Sequence, residues 1–459
     1  MKASKYIIVA VVSVMLTSCG IYKKYEMPVE NRYVNELAQA EQQTVDSLSL
    51  PYLGWEQVFT DPILQGYIRK ALEQNTDIDN AVLNVKMAQA QLQGAKLSYF
   101  PAVALSPNGG AAKYGSGNMD TWTYTIPLSV QWEIDVFGKI LNRKRGAKVS
   151  LEQMEEYQAA TRSQVISAVA NVYYSLVLLH QQLDLTERTS VIWKDQVESM
   201  KLMKEAAYVN EAAVVQSAAN YWSIMSSIPD IRQNIHELNN TMALLLHEHY
   251  NDYDVTNSLE FNLPVDPDRG VPMSYLAQRP DVRAAERRLA AQVAAVGIAK
   301  AMLFPKFYIN GSLGLDSVKA NRFFRREAFL GSIGPSFSWP VFQGGNLVAN
   351  MKAEESKMHE AALAYELAVQ TAYAETRNAY SAYTQEYHRY QSLQGAVKAA
   401  TDAVNISQDL YKNGLADFNN VLDAQRSLLT LEESLTISRG NITLNLIALY
   451  KALGGGIAP

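Results

Sequence analysis

The sequence predicts a mainly α-helical chain that carries a membrane β-barrel segment. It is built by internal duplication, each half two strands followed by long coiled-coil helices. Three observations predict this. Residues 121–136 (TWTYTIPLSVQWEIDV) alternate without a break: Trp122, Tyr124, Ile126, Leu128, Val130, Trp132, Ile134 and Val136 are apolar, and the residues between them polar or small. From about Lys139 the period changes from two to three and a half, with Val165, Val169, Val172, Leu176, Leu179 and Leu183 at alternating steps of four and three. Finally, the pattern restarts about halfway along the chain.

Strict period two gives a strand one greasy and one wet face. At about 3.3 Å per residue this strand is roughly 50 Å long, against a usual length of about 5–6 residues. Aromatic residues towards both ends of its apolar face suit a bilayer-spanning barrel, while this stretch alone fits an amphipathic strand of a soluble sandwich equally well. The start of the chain agrees with a membrane setting. Residues 1–18 read as a lipoprotein signal peptide, with Lys2 and Lys5 ahead of an apolar run from Tyr6 to Leu16. Leu16-Thr17-Ser18-Cys19-Gly20 then resembles a bacterial lipobox, which makes Cys19, the only cysteine of the 459 residues, the lipidation site. Its acyl chains would anchor a tail over 19–60 to the membrane. Gly20 after the cysteine fits outer-membrane sorting. No later segment holds about 18 uninterrupted apolar residues, so strands must do any spanning.

The first repeat is expected over 61–263. Asp61-Pro62 caps a helix and Asp77 opens a second, together 61–98. Strands follow at 100–107 and 121–136, separated by a glycine-rich loop at 108–118. Long helices follow at 139–206 and 212–249. Pro264, Pro267 and Pro272 mark a linker into the second repeat, 264–459. That repeat has helices at 272–303, strands at 306–316 and 329–341 with a charged loop at 317–327, and long helices at 345–410 and 416–453.

The repeat is read from pairs. Asp77, Ala81, Ala95, Lys96 and Phe100-Pro101 recur 204 residues on at Asp281, Ala285, Ala299, Lys300 and Phe304-Pro305. Val136-Phe137 recurs at Val341-Phe342, and Tyr208-x-Asn210 at Tyr411-x-Asn413. Such self-similarity in register is the mark of a tandem duplication.

Four membrane strands cannot close a barrel, because single-chain barrels need about eight and lipid tolerates no open edge. Other copies of the chain must complete them. The polar face of 121–136 would then line a lumen. Ala361, Ala364, Ala368, Ala372, Ala379 and Ala382, and a second stripe of Tyr373, Tyr380, Tyr383, Tyr387 and Tyr390, read as helix-packing surfaces.

Catalytic chemistry finds no foothold, and the chain reads as a non-enzyme without cofactor or metal. There is no His-Glu-x-x-His, no Gly-x-Ser-x-Gly and no phosphate loop. In His247-Glu248-His249 the histidines face apart on a helix. Met200 and Met203 share a helix face and read as packing. The formal charge of −5 argues against nucleic acid. Arg322, Arg325 and Arg326 lie in the charged loop.

With these residues in view the chain resembles the TolC/OprM-like outer-membrane factors, the outer channels of tripartite efflux pumps. The resemblance is carried by the lipobox at Cys19, the run Arg279-Pro280-Asp281-Val282-Arg283-Ala284-Ala285-Glu286-Arg287-Arg288-Leu289, and the two Phe-Pro turns. Tyr411-x-x-Gly414, followed by Leu422-Asp423-Ala424-Gln425-Arg426, completes it. It implies a homotrimer in the bacterial outer membrane, with a 12-strand barrel and a 12-helix periplasmic tunnel, exporting small molecules passively. It also implies a periplasmic adaptor and an inner-membrane pump of the RND type as partners, besides outer-membrane lipid. Asp423, Asn420 and Tyr411 match the periplasmic gate, and Gly414, Tyr208 and Asn210 the adaptor-docking tip. Asn420 stands where some members carry a second aspartate. Glu211 stands where Gly414 leads one to expect glycine in the first half. The same fold also serves protein secretion and metal-ion efflux. A lipid-anchored periplasmic coiled-coil spacer without a pore is the reading from another class, and it leaves the alternation at 121–136 unexplained.

Overall fold

The computed structural model describes residues 54–112, 121–256, 276 and 278–455. Cys19, the signal peptide, most of the tail and the proline linker lie outside them. The helices are α1 (Trp55–Val58), α2 (Pro62–Gln74), α3 (Thr76–Leu97), α4 (Lys139–Glu205), α5 (Glu211–Leu245), α6 (Pro280–Ala301), α7 (Asn346–Lys412) and α8 (Phe418–Ala452). The strands are β1 (Ala102–Leu105), β2 (Asn108–Ala112), β3 (Thr121–Ile134), β4 (Lys306–Ser317) and β5 (Phe329–Ser338). The chain divides into two compact units, one holding residues 95–146 and 289–366, the other 54–94, 147–288 and 367–455.

The first unit is built on one antiparallel sheet. β1 and β2 both pair with β3, β3 pairs with β4, and β4 with β5. The glycine-rich stretch expected as a loop at 108–118 is therefore strand at its start: Asn108–Ala112 continues the register of β1, with Val103 opposite Val130 and Gly109 opposite Tyr124. Only the step at Ser106-Pro107 separates the two, and the Ser106 amide there donates to the Pro127 carbonyl at 3.2 Å. β1 and β2 thus occupy one strand position, and the sheet has four. β3 and β4 join the two repeats, from Tyr124 opposite Ser317 to Ile134 opposite Phe307. No bulge interrupts either that pairing or the one between β4 and β5.

Constant register keeps like with like. Trp132 faces Ile309, Leu128 faces Leu313 and Ile126 faces Leu315 across β3 and β4. Phe337 sits opposite Phe307 and Ile333 opposite Gly311. On the other face Glu133 meets Tyr308, Gln131 meets Asn310 and Ser129 meets Ser312. Asn310 Nδ2 donates to Ser336 Oγ at 2.6 Å. The apolar side chains are exposed: Trp122, Trp132, Ile134, Leu313, Phe337 and Trp339 all stand clear of any core. Water would oppose such a face, and hydrocarbon would accept it. At the helical end, two indoles fix the sheet to the preceding turns. Trp132 Nε1 donates to the Tyr99 carbonyl at 2.8 Å and Trp339 Nε1 to the Leu303 carbonyl at 3.3 Å. The Asp135 carboxylate accepts from the amides of Ile140 and Leu141 and so caps α4. Among the described residues no helix is long and apolar enough to cross a membrane.

The second unit is helical. Its core gathers Leu64 and Ile68 of α2, Val165, Val169, Tyr173 and Leu176 of α4, Met242 of α5, Tyr383 of α7 and Leu446, Leu449 and Tyr450 of α8. The first four seam positions of α4 are buried and the last two, Leu179 and Leu183, half-buried. Asp61 caps α2 through the Ile63 amide at 2.8 Å, and its other oxygen accepts from the hydroxyls of Tyr173 (2.6 Å) and Thr256 (2.8 Å). Burial first, then that bond to Asp61, pushes the Tyr173 hydroxyl up to about 12, so it stays a neutral donor. Asp77 does not cap α3. Asn75 does, its Oδ1 accepting from the amides of Asp77 and Ile78.

One glycine in the sheet is required by a close approach. A Cβ on Gly314 would stand 2.6 Å from the Ile126 carbonyl oxygen and 2.8 Å from Pro127 Cα, so β3 and β4 would have to part. Gly334 in β5 has nothing within 4 Å of that position. Gly314→Ala is expected to lower the thermal unfolding midpoint of the purified protein, at a cost of about 1–3 kcal/mol. Gly334→Ala should leave it within error, and equal behaviour of the two variants would contradict the pairing.

Candidate functional site

The candidate residues meet at two helical turns of the second unit. α4 ends at Glu205, and the Tyr208 amide closes the turn on the Met203 carbonyl at 2.8 Å. Asn210 then caps α5, its side chain accepting from the Ala213 amide at 3.1 Å. α7 ends at Lys412, the Leu415 amide closes on the Leu410 carbonyl at 2.9 Å, and Asp417 caps α8. Both turns are Schellman-type ends, which need a left-handed residue just past the helix. Gly414 fills that position with φ +69°, and Ala207 fills it with φ +60°.

This corrects the register of the repeat. Tyr208-x-Asn210 and Tyr411-x-Asn413, read as a pair 203 residues apart, are not equivalent. α4 and α7 are each 67 residues and α5 and α8 each 35, starting at 139 and 346, and at 211 and 418. Equivalent positions in the hairpins therefore lie 207 apart. The counterpart of Gly414 is Ala207, not Glu211. The counterpart of Tyr208 is Leu415, and that of the cap Asn210 is Asp417. Glu211 instead forms an ion pair with Lys204 across the first turn.

The two turns pack on each other. Trp193 and Met200 of α4, Ala213 and Val214 of α5, and Phe418, Val421 and Leu422 of α8 form one buried cluster. Tyr411 borders it, half-buried, with its ring 5.0 Å from Phe418 and its hydroxyl donating to Met203 Sδ at 3.5 Å. Met200 and Met203 are thus packing residues. Asn420 and Asp423 lie exposed in the first turns of α8. Among the described residues the Asp423 carboxylate meets no cation within ion-pair distance. Tyr208 is 81% exposed and Leu415 75%, so equivalent apolar side chains stand free at both turns. The structure thus gathers Tyr208, Asn210, Tyr411, Gly414, Asn420 and Asp423 at one pair of adjoining turns.

At the other end of the hairpins lies a pair of clasps that sequence reading did not find. Asn75 Nδ2 donates to the Leu245 carbonyl at 2.9 Å, and Arg279 Nη1 donates to the Ala452 carbonyl at 2.7 Å. Each thus ties the start of a shorter helix, α3 or α6, to the last carbonyl of α5 or α8. Asn75 and Arg279 are 204 apart and their acceptors 207 apart. Arg279 is buried, and its Nη2 bridges Asp281 and Glu375 at 2.7 Å each. Burial works against its charge, but the two carboxylates outweigh that and raise its pKa above the ordinary value. The rest of the run is structural too. Val282, Ala284 and Leu289 are buried, Arg283 reaches Glu156 at 2.7 Å, and Arg287 reaches Glu152 at 3.5 Å. Among the described residues no three histidines, cysteines or carboxylates gather as a metal site.

A sheet with one exposed apolar face, in the same chain as a duplicated set of long helical hairpins, marks the class of outer-membrane efflux channels. The outer membrane efflux protein family model matches residues 67–246 and 271–455, and the chain belongs to that family. It is 25% identical over 464 residues to a probable efflux pump outer membrane protein, TtgC, of Pseudomonas putida, covering 97% of this chain and 94% of TtgC. It is 26% identical over 461 residues to the cation efflux system protein CusC of Escherichia coli K12, covering 97% and 98%. The solved structure of CusC superposes with a TM-score of 0.85 at 24% identity, over 95% of this chain and 99% of that one.

The turn geometry gives a test. An L-residue in the left-handed region costs about 1–2 kcal/mol, and glycine gives back about 0.5–1 kcal/mol in chain entropy. Ala207→Gly is expected to stabilise the chain by about 0.5–1 kcal/mol, and Gly414→Ala to destabilise it by about 1 kcal/mol, read as opposite shifts of the denaturant midpoint. Shifts of the same sign would contradict the equivalence of the two turns.

Proposed function

We propose that three copies of this chain form the outer-membrane exit duct of a tripartite efflux system. The observation that carries this is the four-position sheet, apolar on one face and polar on the other. Its edge positions, β1/β2 and β5, have no further strand beside them among the described residues. Lipid leaves such edges unsatisfied, and three copies give twelve strand positions, enough to hold a water-filled lumen. The polar face, with Gln131, Ser129, Asn310 and Ser312, then lines the lumen. Cys19 carries the acyl anchor, and the hairpins form a periplasmic tunnel.

The paired turns are the periplasmic end. Asp423 from three copies forms an acidic ring, with Asn420 beside it, and Tyr411 sets the angle of α8 by its contact with Phe418. Converging carboxylates attract cations and narrow a pore electrostatically. Opening separates the rings by a shift of the tip helices. Tyr208 and Leu415, with the turns set by Gly414 and Asn210, offer apolar knobs to an adaptor, and an RND-type inner-membrane pump supplies the energy. Of the relatives, one is named for a probable efflux pump and the other for cation efflux, at nearly the same identity. The cargo is therefore chosen upstream of a shared duct, and small toxic molecules are the class proposed here.

Conductance of the purified protein in a planar bilayer tests this reading. Asp423→Ala is expected to raise steady conductance severalfold and to abolish block by millimolar divalent cations. Conductance unchanged by the substitution would remove Asp423 from the gate. No conductance from a folded oligomer, native or substituted, would contradict the duct.

A further inference from the structure

The segment between β4 and β5 carries a feature that export through a lumen does not use. Lys319, Arg322, Arg325 and Arg326 fall within eight residues, against the single carboxylate of Glu327. All four cations are exposed, and among the described residues none forms an ion pair. In a chain of net charge −5, such a cluster makes a local positive patch that attracts anions.

The segment is folded. Three turns close in succession: the Arg322 amide donates to the Lys319 carbonyl (3.0 Å), the Arg325 amide to the Arg322 carbonyl (3.1 Å), and the Ala328 amide to the Arg325 carbonyl (3.0 Å). Short 3₁₀ turns at Ala320–Arg322 and Arg326–Ala328 are part of this run. Phe323 is buried, 6.4 Å from the Tyr124 ring of β3, and Ala328 is buried as well. Phe324 beside it sets its ring edge-to-face with Phe323, centroids 5.1 Å apart, and is itself 86% exposed. The backbone thus holds one apolar ring and four cations outward at the end of the sheet away from the helices. β4 is 12 residues, about 40 Å at 3.4 Å per residue. Tilted at about 35–45°, it rises about 28–33 Å, enough to cross the roughly 25 Å apolar band of an outer-membrane barrel, so the loop stands at the interface.

We propose that this loop binds the phosphate groups of an anionic glycolipid in the outer leaflet, a diphosphorylated lipid A. The proposal rests on the outer-membrane reading above, which sets the loop on the exterior side. Arg322, Arg325 and Arg326 suit phosphate because the planar guanidinium gives two parallel hydrogen bonds to it. Phe324 lies against the acyl chains, as does exposed Phe329 on the apolar face of β5, opposite Leu315. Lys319 adds a point charge.

The test uses the full chain purified in neutral detergent, with diphosphoryl lipid A as probe and binding read by native mass spectrometry. Each basic side chain at an anionic lipid surface contributes roughly fivefold. The triple variant Arg322→Ala, Arg325→Ala, Arg326→Ala is therefore expected to bind about a hundredfold more weakly. The triple lysine variant should retain part of the affinity, and Phe324→Ala should lose severalfold. Dephosphorylated lipid A should bind native and triple-alanine protein equally weakly, and inorganic phosphate at the same phosphate concentration should not compete. The triple-alanine variant should keep native conductance, which shows that it folds. Equal binding of diphosphoryl lipid A by native and triple-alanine protein would overturn the proposal, as would equal binding of the two lipids by the native chain. Asn321→Cys, at an exposed loop position outside the proposed contacts, should react with an impermeant maleimide in intact cells, and lack of reaction there would overturn both this proposal and the orientation it rests on. Phosphate-dependent lipid binding in a protein without conductance would leave the loop assignment standing and remove the duct.

Discussion

In hydrocarbon a backbone N–H has no water to fall back on, so every strand must find a neighbour. That constraint organises this chain. β3 and β4 meet it by pairing along eleven consecutive residue pairs without a bulge, joining the two halves of the duplication. β1 and β2 share one position on the far side of β3, and β5 lies on the far side of β4. Among the described residues two edges stay open in a single chain, and only a further strand can close them. The alternation of Trp122 to Ile134 decides which face meets lipid, and the constant register extends that face across all four positions. The assembly proposed above follows from the sheet alone, before any contact between copies is considered.

The helices show how a duplicated chain keeps its geometry while its residues drift. Equivalent positions are 204 apart up to the Phe-Pro turns, 205 apart at Val136-Phe137 and Val341-Phe342, and 207 apart through the hairpins. The last step is Gln343 and Gly344, two residues inserted ahead of Gly345, whose φ of +78° matches the +71° of Gly138. Beyond it the helix lengths are identical. Four helix ends use the same left-handed residue, filled by Ala207, Gly414, His247 (φ +53°) and Gly454 (φ +84°). Glycine suits that position best, yet only the second half uses it. The clasps follow the same logic. Asn75 and Arg279 reach equivalent carbonyls, Leu245 and Ala452, by different chemistry, one through an amide and the other through a guanidinium balanced by Asp281 and Glu375.

How far the sequence discloses this depends on range. Period-two alternation in β3 and the seam of α4 are local and were legible, as were the Asp61 cap and the Phe-Pro turns. The strand at Asn108–Ala112 was not, because glycine and alanine carry no alternation, and pairing with β3 rather than propensity makes it a strand. The cap of α3 was misplaced by two residues because Asp77 and Asn75 are both good caps, and the choice rests on which oxygen reaches the amides. The residues of the paired turns could be singled out from the resemblance, but their equivalence could not. A chance Tyr-x-Asn match suggested 203, and the alanine at 207 hid the turn that glycine marks at 414. Arg279 was visible as part of a motif, while its role depends on carbonyls 93 and 173 residues away.

The central claim is that open sheet edges are closed by copies of the same chain. The measurement that tests it most directly is single-particle imaging of the purified full-length protein in lipid nanodiscs, resolved well enough to count strands and copies. Three copies enclosing a lumen with twelve strand positions, β1/β2 of one copy beside β5 of the next, is the result this account predicts. A single copy with exposed edges in lipid, or an oligomer joined only through its helices, would contradict it.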